Sequence, residues 1–117
     1  MEPVAPGTNR AALETDIDIL AHPGLIAEED VILAAAKGIY LEITTRRGHS
    51  LANGHVVRLA RKCGASLVLN TDTHGPQDLV SKEMAVKIAR GAGMVDAEIQ
   101  QMFCNSDALV KKAALLP

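Results

Sequence analysis

Short aliphatic runs alternate along this chain with amphipathic segments, and the same order occurs three times. The runs lie at 18–21, 39–44 and 66–70, and each is followed by a polar cluster that contains His or Gly. A segment with helical periodicity comes next each time. The third run is apolar almost to its end, which is typical of a strand covered on both faces. Three strand–helix units in series predict parallel strands joined by right-handed crossovers.

Charge and glycine mark the boundaries of the first two helices. The first is predicted at 28–37, because acidic side chains favour its positive end and Gly38 can stop it. The second is predicted at 53–62, with Asn53 as its N-cap. It carries one apolar stripe at helical spacing, formed by Val56, Leu59, Ala60 and Cys63.

The C-terminal third of the chain is predicted to be helical. A long helix is expected at 78–90, with Val80, Met84 and Ile88 on one face. Two further helical segments are expected at 96–103 and 106–115. Helices lying on aliphatic strands therefore predict an α/β fold class.

Composition indicates one domain with an aliphatic core. The chain has 117 residues, which favours a single domain at 1–117, and its aromatic residues are one Tyr and one Phe. The formal net charge is −2 and no basic stripe is present, so nucleic acid is not expected as a partner. No run of 18 apolar residues occurs, and a membrane partner is not expected either.

The N-terminus and the cysteines predict a cytoplasmic location. Residues 1–10 have neither a basic start nor an apolar stretch, so no secretory signal is expected. Cys63 and Cys104 are far apart and form no metal-binding spacing. They are interpreted as buried thiols in a reducing compartment.

Polar residues follow each predicted strand, where parallel α/β folds place their functional groups. Residues two apart share a face of a strand, so each strand is expected to present polar groups on one side, and Leu20 is expected to share that side with His22. A buried carboxylate must be paired or bind a metal, and a metal centre would meet that need for all three strands. The candidates are His22, Glu42, Arg46, Arg47, His49, Asp72 and His74.

Asp72 and His74 form the sharpest element of this pattern. Two residues apart on an extended segment, their side chains can reach a single ion. The alternative is that Asp72 caps a turn and His74 lies on the surface. His22, which precedes Pro-Gly, could likewise be a turn histidine. Their presence at corresponding strand ends favours a shared site.

The remaining candidates have open roles. Glu42 is either a hydrogen-bonded structural carboxylate or a residue that supports the metal ligands, and it is a candidate catalytic residue. Arg46 and Arg47 could hold a phosphate through paired hydrogen bonds, although solvated loop charge would also explain them. His49 is a candidate ligand, proton donor or substrate contact.

Three strings in order, "DILAHPGLI", "GIYLEITTRRGHSLANG" and "LVLNTDTHGPQDL", resemble the C-terminal motifs of the PHP (polymerase and histidinol phosphatase) superfamily. The match is closest to stand-alone, histidinol-phosphatase-like members. The resemblance implies a partial (β/α)7-type barrel, with three or four parallel strands and flanking helices. The chain would correspond to the C-terminal half of such a barrel.

The resemblance also implies a site. The metal ligands would be His22, Asp72 and His74, and the other candidate residues would lie around the opening of the metal site. The complete site would hold two or three divalent ions (zinc, manganese or iron), with fewer or none in this chain. The substrate would be a small phosphorylated molecule, hydrolysed by a metal-activated water.

The first half of the family pattern is missing, since no His-x-His motif occurs and no His precedes His22. Three strands cannot close a barrel, and their edges and an apolar surface would be left uncovered. A homo-oligomer, or a chain that supplies the N-terminal half-barrel, is therefore expected. Two functions stay open: a metal-dependent phosphoesterase that needs the missing half or an oligomer, and a non-catalytic PHP-derived binding or assembly module with a weak or absent metal site.

Overall fold

Three parallel strands form the sheet of the computed structural model, which describes residues 4–115. The strands are β1 (Ile19–Leu20), β2 (Tyr40–Thr44) and β3 (Leu67–Asn70), in the order β1-β2-β3. The first three residues of the segment considered for a secretory signal lie outside the described residues. The helices are α1 (Thr8–Leu13), α2 (Glu28–Lys37), α3 (Asn53–Cys63), α4 (Lys82–Gly91) and α5 (Asp96–Ala114). The α/β class with parallel strands and flanking helices is confirmed.

The register of the sheet places the paired leucines and Glu42 on opposite faces. Leu41 pairs with both Leu20 and Leu67, and these leucines belong to the core that the helices cover. Glu42 lies on the opposite face, as does Tyr40, whose partner is Ile19. The expectation that Leu20 shares the polar face with His22 is therefore wrong, because the register places Leu20 on the core face.

The first two predicted helices agree closely with the structure. α2 has the predicted bounds, and Gly38 adopts a left-handed conformation (φ 69°) at its end. α3 ends one residue later than expected, and its stripe of Val56, Leu59 and Ala60 is buried. Asn53, however, is not the N-cap. It is the first helical residue, and its side chain binds the backbone of Thr44 instead.

The helix α4 begins later than predicted. Ser81 is its N-cap and accepts a hydrogen bond from the Met84 amide at 3.1 Å. Residues 76–78 form a 3-10 turn instead of the helix start. The buried face of α4 carries Ala85 and Ala89, so the expected face of Val80, Met84 and Ile88 is wrong.

The last two predicted segments are one continuous helix, α5. Its Glu98 binds Arg61 of α3, its Asn105 Nδ2 donates to the carbonyl of Leu67 at 2.9 Å, and its Lys112 reaches Asp18. The Leu67 carbonyl points to the outer edge of β3, because its neighbour Ser66 bonds to β2. One helix thus covers part of the edge that was expected to be open.

The cysteines differ from expectation. Cys104 on α5 is exposed and Cys63 is half-buried, so neither is the fully buried thiol that was predicted. None of the helices in residues 4–115 combines the length and apolar character needed to cross a membrane.

Candidate functional site

Two residues at the carboxyl edge of the sheet have an unusual backbone. His22 lies two residues beyond β1 and Asp72 two residues beyond β3, and their φ angles are 25° and 48°. Such left-handed conformations cost about 1–2 kcal/mol for residues other than glycine. Strained backbone of this kind is concentrated at functional sites. Both residues were predicted as metal ligands.

Glu42 links all three strands below this edge. One carboxylate oxygen accepts a hydrogen bond from the His22 amide at 2.9 Å, and the other accepts one from Asn70 Nδ2 at 2.9 Å. The residue is only 6% exposed. Of the two roles considered for Glu42, this geometry is that of a hydrogen-bonded carboxylate that orients the ends of the neighbouring strands.

His49 stacks on His22. The ring centroids are 4.4 Å apart and the planes differ by 21°. Gly48, with φ 89°, turns the loop that carries His49. Burial lowers the pKa of His49, and the neighbouring His22 adds to the lowering. Nδ1 of His49 is buried and has no hydrogen-bond partner within residues 4–115. The neutral ring therefore predominates at neutral pH.

Arg46 joins the loops that follow β2 and β3. Its Nη1 donates to the carbonyl of Asp72 at 2.7 Å, lies 3.4 Å from Oδ2 of the same residue, and contacts Nδ1 of His74. The His74 ring is also 2.7 Å from the Asp72 carbonyl. Arg46 thus engages both residues of the predicted Asp-x-His pair, whereas Arg47 is exposed.

Asp78 fixes the turn that follows His74. One of its oxygens accepts hydrogen bonds from the amides of His74 at 2.8 Å and Gly75 at 3.1 Å. The turn cap is therefore Asp78, while Asp72 pairs with Arg46. This role was not foreseen, because residue 78 was expected to begin a helix. An acidic residue four positions after His74 was the available signal.

Other polar residues were also missed. The contact of Asn70 with Glu42 was not predicted, although its Nδ2 donates to the Glu42 carboxylate at 2.9 Å. His55 is half-buried, and its Nε2 lies 2.7 Å from the Ile26 carbonyl. This contact ties α3 to the loop that carries His22.

The donors described here do not by themselves fit a centre of two or three metal ions. Among residues 4–115, no three His, Cys, Asp or Glu side chains are arranged to hold an ion. The candidate ligands form two pairs instead. His22 is stacked with His49, and Asp72 lies beside His74 under Arg46.

Comparison with known proteins finds one curated relative. An uncharacterized protein of Methanocaldococcus jannaschii is 45% identical over 101 residues, which cover 86% of this chain and 46% of the relative. The chain therefore spans about half the length of the curated relative that it matches. No family model matches the chain, and no solved structure matches it.

Proposed function

We propose that this chain carries one side of a metal-dependent phosphoesterase site of the PHP type. The observation that carries the proposal is the strained backbone of His22 and Asp72, each two residues beyond a parallel strand at the same edge of the sheet. A backbone cost at two matching positions is expected where the side chains must be held in place for function. The finer fold that goes with this proposal is half of a (β/α)7-type barrel.

Each side chain has a separate role in the proposed site. His22, Asp72 and His74 would supply metal ligands, in agreement with the preference of zinc, manganese and iron for mixed nitrogen and oxygen donors. Arg46 and Arg47 would bind the substrate phosphate. The lowered pKa of His49 keeps its ring neutral, and the neutral ring would accept a proton. The ions, once bound in a complete site, would polarise the phosphate ester and activate a water.

The remaining ligands would come from a second polypeptide segment or another copy of the chain. An exposed leucine lies in each segment that follows a strand: Leu25 (67% exposed), Leu51 (88%) and Leu79 (66%). Large exposed apolar side chains are typical of a surface that another protein body covers. The twofold greater length of the relative supports the same interpretation.

A second candidate function is a non-catalytic PHP-derived binding or assembly module. The arrangement of donors in two pairs favours it, because three ligands are the usual minimum for a catalytic zinc site. In that case the exposed leucines would serve assembly alone. The two functions differ in whether Asp72 and His74 matter for any chemistry.

Hydrolysis of p-nitrophenyl phosphate with added manganese or zinc tests the proposal. The chain is assayed over a range of concentrations while its size is measured by light scattering. Activity that increases with association and is lost in Asp72→Ala and His74→Ala supports the enzyme. Asp107→Ala, which removes an exposed carboxylate on α5, is the control. Absence of turnover in the associated form would overturn catalysis by this chain and its copies.

A further inference from the structure

The helices α4 and α5 leave an open groove of about 600 Å³ between them. Its floor is apolar and is formed by Val86 of α4 with Ile99 and Phe103 of α5. Ile99 is buried, whereas Val86 and Phe103 are only half-buried. Val110 lies about two turns beyond Phe103 on the same side of α5 and is 69% exposed. The apolar floor therefore continues along α5 into solvent.

The two walls of the groove carry opposite charge. The α4 wall has the cations Lys82 and Arg90, and the α5 wall has the carboxylates Asp96 and Asp107. At one end Arg90 and Asp96 are paired at 3.1 Å, with side chains that are 60% and 77% exposed. At the other end Nζ of Lys82 lies 5.2 Å from the centre of the Phe103 ring. Asp107 has neither a hydrogen bond nor an ion pair within residues 4–115. The groove thus fits a partner with acidic groups opposite α4 and basic groups opposite α5.

A second copy of the chain meets this requirement. The two contacts at the ends of the groove show that α4 and α5 run antiparallel. A twofold axis along the groove would place α4 of one copy opposite α5 of the other, at the same height. Lys82 would then face the partner's Asp107, and every neighbouring pair of helices would be antiparallel. This is the arrangement of an up-down four-helix bundle, with the two apolar floors at its centre.

We propose that α4 and α5 form the contact between two copies of this chain, packed as a four-helix bundle. Burial of the two apolar floors favours association, and the opposite charges of the walls fix the twofold arrangement. No residue of the candidate site takes part in this contact. The inference therefore goes beyond the proposed function and holds whether or not the chain is catalytic.

Light scattering over a range of concentrations tests this contact, and the wild type is expected to form a dimer. Lys82→Glu and Asp107→Lys each bring like charges together twice, because the twofold axis repeats the contact. Each reversal should weaken the dimer by about tenfold or more, whereas Asp107→Ala removes one exposed charge and should weaken it by less than about fivefold. A glutamate in the first turn of α4 suits the helix, and circular dichroism checks the fold of each variant.

An equimolar mixture of the two reversed variants gives the most specific result. At this end of the groove Lys82→Glu is negative on both walls, and Asp107→Lys is positive on both walls. The two variants should therefore form a dimer with each other at concentrations at which each alone is a monomer. A contact that does not pair α4 with the partner's α5 would not produce this pattern.

The apolar part of the contact has its own variant. Val110→Ser should weaken the dimer by about tenfold, because a valine leaves the interface in both copies. Ala108→Ser is the control, since residue 108 is exposed on the far side of α5. A wild type that stays monomeric at every concentration would overturn the inference. So would reversed variants that associate as the wild type does, a mixture of them that stays monomeric, or equal effects of Val110→Ser and Ala108→Ser.

Discussion

The carboxylate of Glu42, in the central strand, accepts a hydrogen bond from the backbone amide of His22 at 2.9 Å. The side chain is buried, and its second oxygen binds Asn70. A single residue of β2 therefore holds the backbone just after β1 and the last residue of β3. The position of the candidate ligands depends on this buried carboxylate as well as on the loops themselves.

Replacement of Glu42 by Ala should destabilise the fold. Two partly buried hydrogen bonds to the carboxylate, from the His22 amide and the Asn70 side chain, would be lost, at a cost of about 2–3 kcal/mol. Glu42→Gln should cost less, since its amide oxygen can still accept one hydrogen bond. Urea denaturation gives the free energies of unfolding. Equal stability of Glu42→Ala and the wild type would contradict a structural role for this carboxylate.

Asn53 takes the place of a strand partner at Thr44, because the pairing of β1 with β2 ends at Leu41. Its side chain accepts a hydrogen bond from the Thr44 amide at 3.2 Å and donates one to the Thr44 carbonyl at 2.8 Å. Asn53→Ala should therefore lower the free energy of unfolding by about 2 kcal/mol, because both groups are buried. The control is Asn105→Ala, which removes a partly exposed hydrogen bond to Leu67 and an exposed one from Gln101 and should cost about 1 kcal/mol or less. A larger loss for Asn105→Ala in urea denaturation would contradict this account.

The left-handed backbone of Asp72 predicts that glycine is more stabilising than alanine at this position, which is the reverse of the order inside a helix. Asp72→Gly and Asp72→Ala lose the same contacts with Arg46, but only alanine is strained at φ 48°. The glycine variant should be more stable than the alanine variant by about 1 kcal/mol. At Ala108, an exposed position inside α5, substitution by glycine should cost about 1 kcal/mol. Thermal unfolding of the four proteins measures both differences, and the same sign at both positions would argue against strain at Asp72.

The ion pair between Arg61 and Glu98 predicts a loss of stability in acid. Hydrogen bonds from Arg61 and from the Val95 amide lower the pKa of Glu98 to about 2. The folded state thus prefers the charged carboxylate. Its contribution is fully present above the unfolded pKa near 4.5 and is lost as the pH falls towards 2.

Comparison of the wild type with Glu98→Gln isolates this effect. Glu98 and Arg61 are 30% and 50% exposed. Solvent screening therefore reduces the contribution of this ion pair to the free energy of unfolding to about 1 kcal/mol. Urea unfolding should show this difference at about pH 6 and a smaller one at about pH 3. Glu83→Gln is the control, since Glu83 is 83% exposed and lies 3.6 Å from Lys87. A difference that does not change with pH would contradict the assignment to Glu98.

Local patterns predicted the elements that depend on local interactions. Acidic residues and Gly38 gave the bounds of α2, and helical spacing gave the buried stripe of α3. The start of α4 was missed because Asp78 serves the turn after His74, a contact that helix periodicity does not encode. The continuity of α5 was missed for a similar reason, since the helix is tied to distant residues through Asn105 and Lys112.

The candidate site was predicted as a set of residues but not as an arrangement. Alternation along the strands predicted that Leu20 and His22 share one face. The register instead puts Leu20 in the core, and the left-handed backbone of His22 changes the direction of the chain after β1. The contact of Arg46 with His74 joins residues 28 positions apart. Only the packing of the strands brings such residues together, so the sequence pattern alone could not have shown it.

The most direct test of the central claim is the metal content of the purified protein. At a concentration at which light scattering shows that the chain is associated, it is loaded with manganese or zinc, dialysed, and analysed by inductively coupled plasma mass spectrometry beside the double variant Asp72→Asn, His74→Ala. The account predicts that the wild type retains the ion in a fixed ratio to protein and that the double variant loses it. Retention of the same amount by both proteins, or none by the wild type, would contradict the claim that this edge of the sheet is one side of a metal-dependent site.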